Sequence, residues 1–360
     1  MKIAIILGTR PEIIKMSPII REVQNNALDY FILHSGQHYS YDLDTVFFNQ
    51  LNLPRAKYNL RIGSSSHAEQ TGKMLTEIGR ILEREEPSLV LVLGDTNTVL
   101  AGALAATKLH VKVGHIEAGL RSGDRNMPEE INRILTDHCA DYLFCPTSNA
   151  HAQLLGEGIA KGMIFITGNT IVDAVNQNLK IAGVHQEILN NLHLKAKDYF
   201  LATIHRQENV DNEDKFSGIM QGLWEISQHF GIKVVYPIHP RSQKKMREFN
   251  LQAKSGITVI CPVDFLSFLQ LEANANLILT DSGGVQEEAC ILGTPCVTLR
   301  DNTERPETIE VGANILAGTL PDHILNCAQI MVCKTGKWFN PFGDGKAGAR
   351  TVKIITDIGD

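Results

Sequence analysis

Short β-branched runs alternate with amphipathic stretches along almost the whole of this chain, and that alternation restricts it to an α/β fold. Runs at 3–7, 30–34, 89–93, 111–116 and 141–144 read as strands, and the segments at 11–25, 67–85, 97–109 and 128–139 read as helices. Strand and helix taking turns means a parallel sheet covered on both faces. The pattern restarts at Tyr199-Phe200-Leu201-Ala202-Thr203-Ile204 and continues through 233–236, 258–261, 277–280 and 296–299, which marks a second unit of the same kind. At 360 residues the chain also exceeds the ~250–300 at which one hydrophobic core usually stops growing. Two Rossmann-like domains facing a cleft are therefore expected. The first covers 1–168 together with a C-terminal helix at about 346–360, and the second covers 169–345. The crossing is placed at the Gly168-Asn169-Thr170 turn, ahead of a polar helical segment at 171–195.

Charge and cysteine usage narrow the setting. Forty acidic and 34 basic residues leave a net charge of -6 with no long basic run, so neither nucleic acid nor an anionic membrane is the natural partner. The apolar start ends at Gly8, before Arg10 and Glu12, and reads as a first strand rather than a leader; no stretch approaches the ~18 apolar residues of a membrane span. Seven scattered cysteines fit a reduced, cytoplasmic protein better than a disulfide frame. With neither Cys-x-x-Cys nor His-Glu-x-x-His spacing, a metal is not expected.

Ligands of open parallel sheets sit at the carboxyl ends of the strands, so polar residues that follow a strand are the site candidates. The run Asp281-Ser282-Gly283-Gly284-Val285-Gln286-Glu287-Glu288 follows the strand at 277–280. Ser282, Gly283 and Gly284 offer a hydroxyl and uncrowded N–H groups at a helix N-terminus, which suits a diphosphate. Glu288 stands one helical turn beyond Gly284, where a carboxylate can accept from the two vicinal hydroxyls of a ribose. The competing reading is an ordinary βα turn with solvated glutamates. After the first strand, Arg10 and Lys15 oppose the dipole of the helix they open, which favours anion contact over helix support, with plain surface charge as the alternative. Asp95, Glu117 and Glu129 stand at neighbouring strand ends or helix starts. Taken singly, Asp95 reads equally as an N-cap and Glu129 as an i,i+4 partner of Arg133. Grouped acids, however, shift one another's pKa, and so divide into acid and base. His205 ends the strand from 199 as either a proton-transfer or phosphate group or a hydrogen-bonded turn histidine. Arg305 is either a phosphate clamp or a surface partner of Glu304 or Glu307.

Taken in order, Gly8-Thr9-Arg10-Pro11-Glu12, Gly94-Asp95-Thr96, His115-Ile116-Glu117-Ala118-Gly119-Leu120-Arg121, Pro128-Glu129-Glu130, His205-Arg206, Asp281 to Glu288 and Glu304-Arg305-Pro306-Glu307 carry a resemblance from Lys2 to the C-terminus. The chain resembles the non-hydrolysing UDP-N-acetylglucosamine 2-epimerases, whose two domains have the GT-B type of architecture. The resemblance implies that Ser282 and Gly284 hold a diphosphate with Arg10, His205 and Arg305 nearby, and that Glu288 binds the ribose. It also implies that Lys15, Asp95, Glu117 and Glu129 surround the sugar and that backbone at 262–265 holds uracil. The implied ligands are UDP-GlcNAc, UDP-ManNAc and UDP, interconverted by loss of UDP to a bound 2-acetamidoglucal and its re-addition. Asp95, Glu117 and Glu129 are the expected acid–base group, and His205 assists the diphosphate. The family needs no nicotinamide or metal and is commonly dimeric. Four neighbouring activities share the same cleft: epimerases of fucosamine-type or uronic acid sugars, a hydrolysing epimerase, a glycosyltransferase that needs an acceptor, and a sensor that binds without turnover.

Many bacterial members of that family carry a second, activating UDP-GlcNAc site built from Gln-His-x-x-Gln and an Arg-Gln pair. This chain has Gln37-His38-Tyr39-Ser40 and Glu69-Gln70 at those places, so a carboxylate replaces the arginine. A negative charge facing a diphosphate argues against the same activation, and initial rates against UDP-GlcNAc are expected to follow simple saturation. A sigmoidal curve that Glu69→Arg abolishes would contradict this.

Overall fold

The computed structural model describes residues 1–37, 47–183 and 187–359. Seven strands form the first sheet: β1 (Lys2–Leu7), β2 (Asp29–His34), β3 (Tyr58–Asn59), β4 (Leu89–Leu93), β5 (Lys112–Ile116), β6 (Tyr142–Cys145) and β7 (Ile164–Ile166). Their order is β3-β2-β1-β4-β5-β6-β7, and every pairing is parallel. The second sheet holds β8 (Tyr199–Thr203), β9 (Lys233–Pro237), β10 (Ile257–Ile260), β11 (Leu277–Thr280), β12 (Cys296–Thr298) and β13 (Asn314–Leu316) in the order β10-β9-β8-β11-β12-β13, again all parallel. The α/β class read from the sequence is the observed one. The central strands β4 and β11 are buried along their whole length and lack any polar alternation, the mark of a sheet covered on both faces.

Both strand orders reverse beside the first strand of the unit. β1 pairs with β2 on one side and β4 on the other, and β8 pairs with β9 and β11, so the connections leave neighbouring strands toward opposite faces. The turns that follow β1 and β4, and those that follow β8 and β11, are thus the ones left open for a ligand.

By contact the chain divides into Met1–Gln177 with the residues from Phe342 onward, and Asn178–Pro341. This division falls inside the helix Thr170–Gly183 rather than at the expected 168/169. The start of that helix is tied to the first unit: the Asp173 carboxylate accepts from the Ala347 and Gly348 N–H groups at 3.1 and 3.0 Å, and the Asn169 N–H donates to Phe342 O at 2.9 Å. Its end carries Ala182, whose carbonyl accepts from the Gln270 amide in the second unit. Within the expected helical segment at 171–195, the described residues form the helices Thr170–Gly183 and Glu187–Asn191. In the C-terminal helix Ala347–Gly359, a Cβ at Gly348 would meet Pro18 at 3.1 Å, so that glycine permits a close approach to the helix Arg10–Asn25. None of the seven cysteines is paired, and no helix among the described residues is long and apolar enough to cross a membrane.

The first βα turn is closed by a buried acid. Thr9 caps the helix Arg10–Asn25 in a capping box with Glu12, and Pro11 occupies its first turn, where a missing N–H does no harm. The Glu12 carboxylate accepts from the Gly8 N–H at 2.5 Å, the Thr9 N–H at 3.2 Å and the Thr96 hydroxyl at 2.5 Å, which joins the turn after β1 to the turn after β4. Burial pushes its carboxyl up to about 7 although all three hydrogen bonds oppose the shift, and the Asp95 charge adds a smaller push. A folded-state value above the ordinary carboxyl value of 4.5 means that the Glu12 contribution to stability is whole below pH 4.5 and is lost as pH rises toward 7. Urea unfolding of wild type and Glu12→Gln across that window is expected to show a fall in wild-type stability that the variant lacks, whatever the absolute stability of the variant. Parallel pH profiles would refute the assignment.

Candidate active site

In the first unit, three of the expected residues converge on Gly94. Lys15, on the second turn of the helix Arg10–Asn25, places its Nζ 2.6 Å from Glu117 Oε1. Glu117 Oε2 lies 3.7 Å from where a Gly94 Cβ would stand, and Gly94 itself has φ +88°. Asp95 follows directly and pairs with Arg133 at 2.6 Å, while its carbonyl accepts from Asn132 at 2.9 Å. Asp95 is not the N-cap of the next helix. Thr96 takes that role, accepting from the Val99 N–H. Glu117 adopts φ +65°, a left-handed conformation uncommon for a residue with a Cβ.

A buried network holds that conformation from beneath. His115 and Asp137 are fully buried, with His115 Nδ1 2.6 Å from Asp137 Oδ1 and His115 Nε2 2.8 Å from Gly94 O. The other Asp137 oxygen receives Arg121 at 2.7 Å and the Gly119 N–H at 3.2 Å. Burial alone would raise the Asp137 carboxyl, but His115 and Arg121 outweigh it and hold it below its ordinary range. Residues 115 to 121 are therefore pinned on both sides of Glu117, and the Gly94 carbonyl is pinned with them.

Glu129 stands apart. It lies half-buried in the first turn of the helix Pro128–Cys139, with no side-chain hydrogen bond or ion pair among the described residues. Arg133 pairs with Glu130 at 2.8 Å instead, and Glu130 also accepts from the N–H groups of Ser122 and Gly123 at 2.9 and 3.0 Å. The i,i+4 pairing considered for Glu129 is thus not made, and that helix reaches the other acids through Arg133. Arg10 is exposed, its guanidinium 5.7 Å from the centre of the Phe47 ring.

In the second unit the turn after β11 and the turn after β8 share one acid. Asp281, fully buried, accepts from the backbone N–H groups of His205 and Arg206 at 3.1 and 3.0 Å and from Asn209 Nδ2 at 3.1 Å, and His205 Nδ1 lies 3.2 Å from its other oxygen. At the strand ends themselves, the Thr203 and Thr280 hydroxyls bond at 2.6 Å. Ser282 is the N-cap of the helix Gly283–Leu292 but leaves its hydroxyl out of the cap, while its N–H donates to Thr280 Oγ1 at 3.0 Å. A Cβ at Gly283 would meet only Glu304 Oε2 at 3.5 Å, and one at Gly284 only Ser282 Oγ at 3.9 Å. Nothing among the described residues requires glycine at either place, and the room lies at a helix N-terminus.

Cations stand around this helix start. Arg305 Nε is 2.7 Å from Glu287, a buried residue of the same helix, and its Nη1 donates to the Glu304 carbonyl at 3.0 Å. Arg300 takes Glu304 at 2.8 Å and Glu208 at 3.3 Å. Burial would raise the Glu304 carboxyl, but Arg300 and, at longer range, Arg206 bring it down to about 2. The rings of His205 and His239 lie 5.6 Å apart, and burial first, then the His205 and Arg241 charges, lower His239. Glu288 is buried on the same helix, 9% exposed.

Sequence reasoning missed Glu12, the organising role of Asp281, and the pairing of Arg133 with Asp95. The Thr9-x-x-Glu12 spacing was a legible capping-box signal; the others depend on contacts distant in sequence. Of the segments matching the activating site, 38–40 lie outside the described residues. Gln37 Oε1 accepts from Thr98 at 2.8 Å, Gln70 donates to Gln37 O and Gly63 O and accepts from Asn97, and Glu69 is exposed and paired with Lys73 at 2.7 Å.

The family model described as UDP-N-acetylglucosamine 2-epimerase matches residues 21–356. The chain is 57% identical to the UDP-N-acetylglucosamine 2-epimerase of Methanocaldococcus jannaschii, covering 99% of each protein, and 41% identical to the UDP-2,3-diacetamido-2,3-dideoxy-D-glucuronate 2-epimerase of Pseudomonas aeruginosa, covering 99% of this chain and all of that one. The crystal structure of the M. jannaschii enzyme in complex with UDP-GlcNAc and UDP matches with a TM-score of 0.89 at 56% identity, over 99% of this chain and 100% of that one. With a family model that spans most of its length and a relative more than half identical to it from end to end, this chain belongs to the UDP-N-acetylglucosamine 2-epimerase family.

Proposed function

We propose that this chain interconverts UDP-GlcNAc and UDP-ManNAc by removing the C2 proton as UDP leaves C1, and by returning proton and UDP after the proton has been exchanged. C2 epimerisation of UDP-GlcNAc is the activity its family membership carries. The observation that supports the mechanism most directly is the gathering of Glu117 and Asp95 at Gly94, each against a cation, Lys15 and Arg133. A proton bound to carbon is only feebly acidic, so its removal needs a positioned base, and return of a proton to the opposite face needs an acid. Ion-paired carboxylates are held ready as bases, and Glu129, which has no such cation, is the natural member to carry a proton to or from solvent.

The second unit serves the leaving group. As the C1–O bond breaks, its electron pair passes to the diphosphate, and N–H groups at a helix start with nearby cations stabilise that charge without reorganising. Ser282, Gly283 and Gly284 supply the cradle, His205 and Arg305 supply cations, and Glu288 takes the ribose hydroxyls. The absence of any steric need for glycine at 284 supports a ligand approaching that backbone. A homodimer, the family's common state, is part of the same reading.

Two measurements test this. In D₂O with UDP-GlcNAc, ¹H NMR is expected to show deuterium at C2 alongside a growing UDP-ManNAc signal; free sugar in its place would mark hydrolysis, and binding without exchange a sensor. Asp95→Asn, Glu117→Gln and Glu129→Gln are each expected to lower turnover on the order of 10²–10⁴, with the folded content unchanged by circular dichroism. If all three stay within about tenfold of wild type, the acid–base assignment is wrong.

A further inference from the structure

Three buried amides of the first unit, Gln70, Asn97 and Asn132, form a hydrogen-bonded row that the proposed reaction leaves unused. Gln70, on the helix His67–Glu85, donates from Nε2 to the carbonyls of Gln37 and Gly63 at 3.2 and 2.8 Å. A carbonyl can only accept, so this amide is oriented and its oxygen is left to face Asn97. Asn97 opens the helix Asn97–Lys108; its Nδ2 donates to Gln70 Oε1 at 2.9 Å and lies 3.1 Å from His67 Nδ1. Asn97 Oδ1 in turn accepts from Asn132, on the helix Pro128–Cys139, at 3.2 Å, and the same Asn132 Nδ2 donates to the Asp95 carbonyl at 2.9 Å. Each amide thus sets the orientation of the next, and the row ends on the main chain of Asp95.

Burying three amides costs desolvation that a packed apolar contact avoids. The need of the Asp95 carbonyl for a donor does not account for them, because Asp95 is half-buried and water can serve that oxygen. What water does not supply is a fixed direction. The turn is held residue by residue: His115 Nε2 stands 2.8 Å from the Gly94 carbonyl, Asn132 donates to that of Asp95, and the Thr96 hydroxyl donates to Glu12 at 2.5 Å. Arg133, next to Asn132, grips the Asp95 carboxylate at 2.6 Å, so one helix fixes both the backbone and the side chain of Asp95. We infer that Gln70, Asn97 and Asn132 are positioning residues for the reaction: their row fixes where the helix Pro128–Cys139 stands against the turn, and so where the Asp95 carboxylate points. This rests on the reading of Asp95 as a member of the acid–base group. Because each bond in the row polarises and orients its neighbour, a loss at Gln70 is felt at Asp95.

Steady-state kinetics of the full chain with UDP-GlcNAc, run as a double-mutant cycle through Asp95, separate the parts of this inference. Gln70→Met keeps the shape of the side chain at the end of the row away from Asp95 and removes its polar atoms. It and Asn97→Leu are each expected to lower kcat about tenfold while KM stays within about threefold of wild type, the pattern of a displaced catalytic group rather than of lost binding. In an Asp95→Asn background the same two substitutions are expected to change kcat by less than about twofold, because the group they act through is already gone. If they lower kcat by the same factor in both backgrounds, the damage is general and the positioning role is overturned. An unchanged kcat in the wild-type background overturns it as well, and Gln70→Met decides this even should Asn97→Leu not fold. If Asp95→Asn alone turns over as wild type does, the acid–base reading of Asp95 falls and this inference falls with it.

Discussion

In each sheet two adjacent central strands, β1 with β4 and β8 with β11, send their connections toward opposite faces, which opens a crevice at their carboxyl ends. Everything polar that the chain concentrates near Gly8, Gly94, His205 and Asp281 depends on that reversal. Had the order run straight, the same residues would sit under helices. The same parallel register brings turns distant in sequence to one level: Thr203 and Thr280 are register partners, and the residues that follow them, His205 and Asp281, meet.

Buried acids then convert open turns into shaped ones. Glu12, Asp137 and Asp281 each accept several hydrogen bonds from backbone and side-chain donors on separate segments, so each joins stretches that sequence keeps apart. In a medium of low dielectric such bonds are strong and the loss of one is expensive, which makes these turns rigid.

Much of this was legible in the sequence, for physical reasons. Core strands of a parallel sheet are uninterrupted apolar runs, so β1, β4 and β11 were readable within a residue or so, whereas β3 and β13, two and three residues long, were not read. Most candidate site residues could be nominated because they lie just after strands. Partners were less visible: Arg133 might equally have paired with Glu129 or Glu130 by helical spacing, and only the loop at Ser122 and Gly123, which Glu130 caps, decides between them. The contact division falls beyond the glycine turn at 168 for a similar reason, since that turn marks a break in secondary structure while the contacts of Asp173 keep the start of the next helix with the first unit.

The left-handed backbone at Glu117 has an evolutionary corollary. A side chain in that conformation costs roughly 1–2 kcal/mol that glycine would not incur, so this position carries a carboxylate against the preference of its own backbone. On the acid–base role proposed for Glu117, glycine there would relax the backbone and take away the base in one step, so relief of strain and loss of turnover would arrive together.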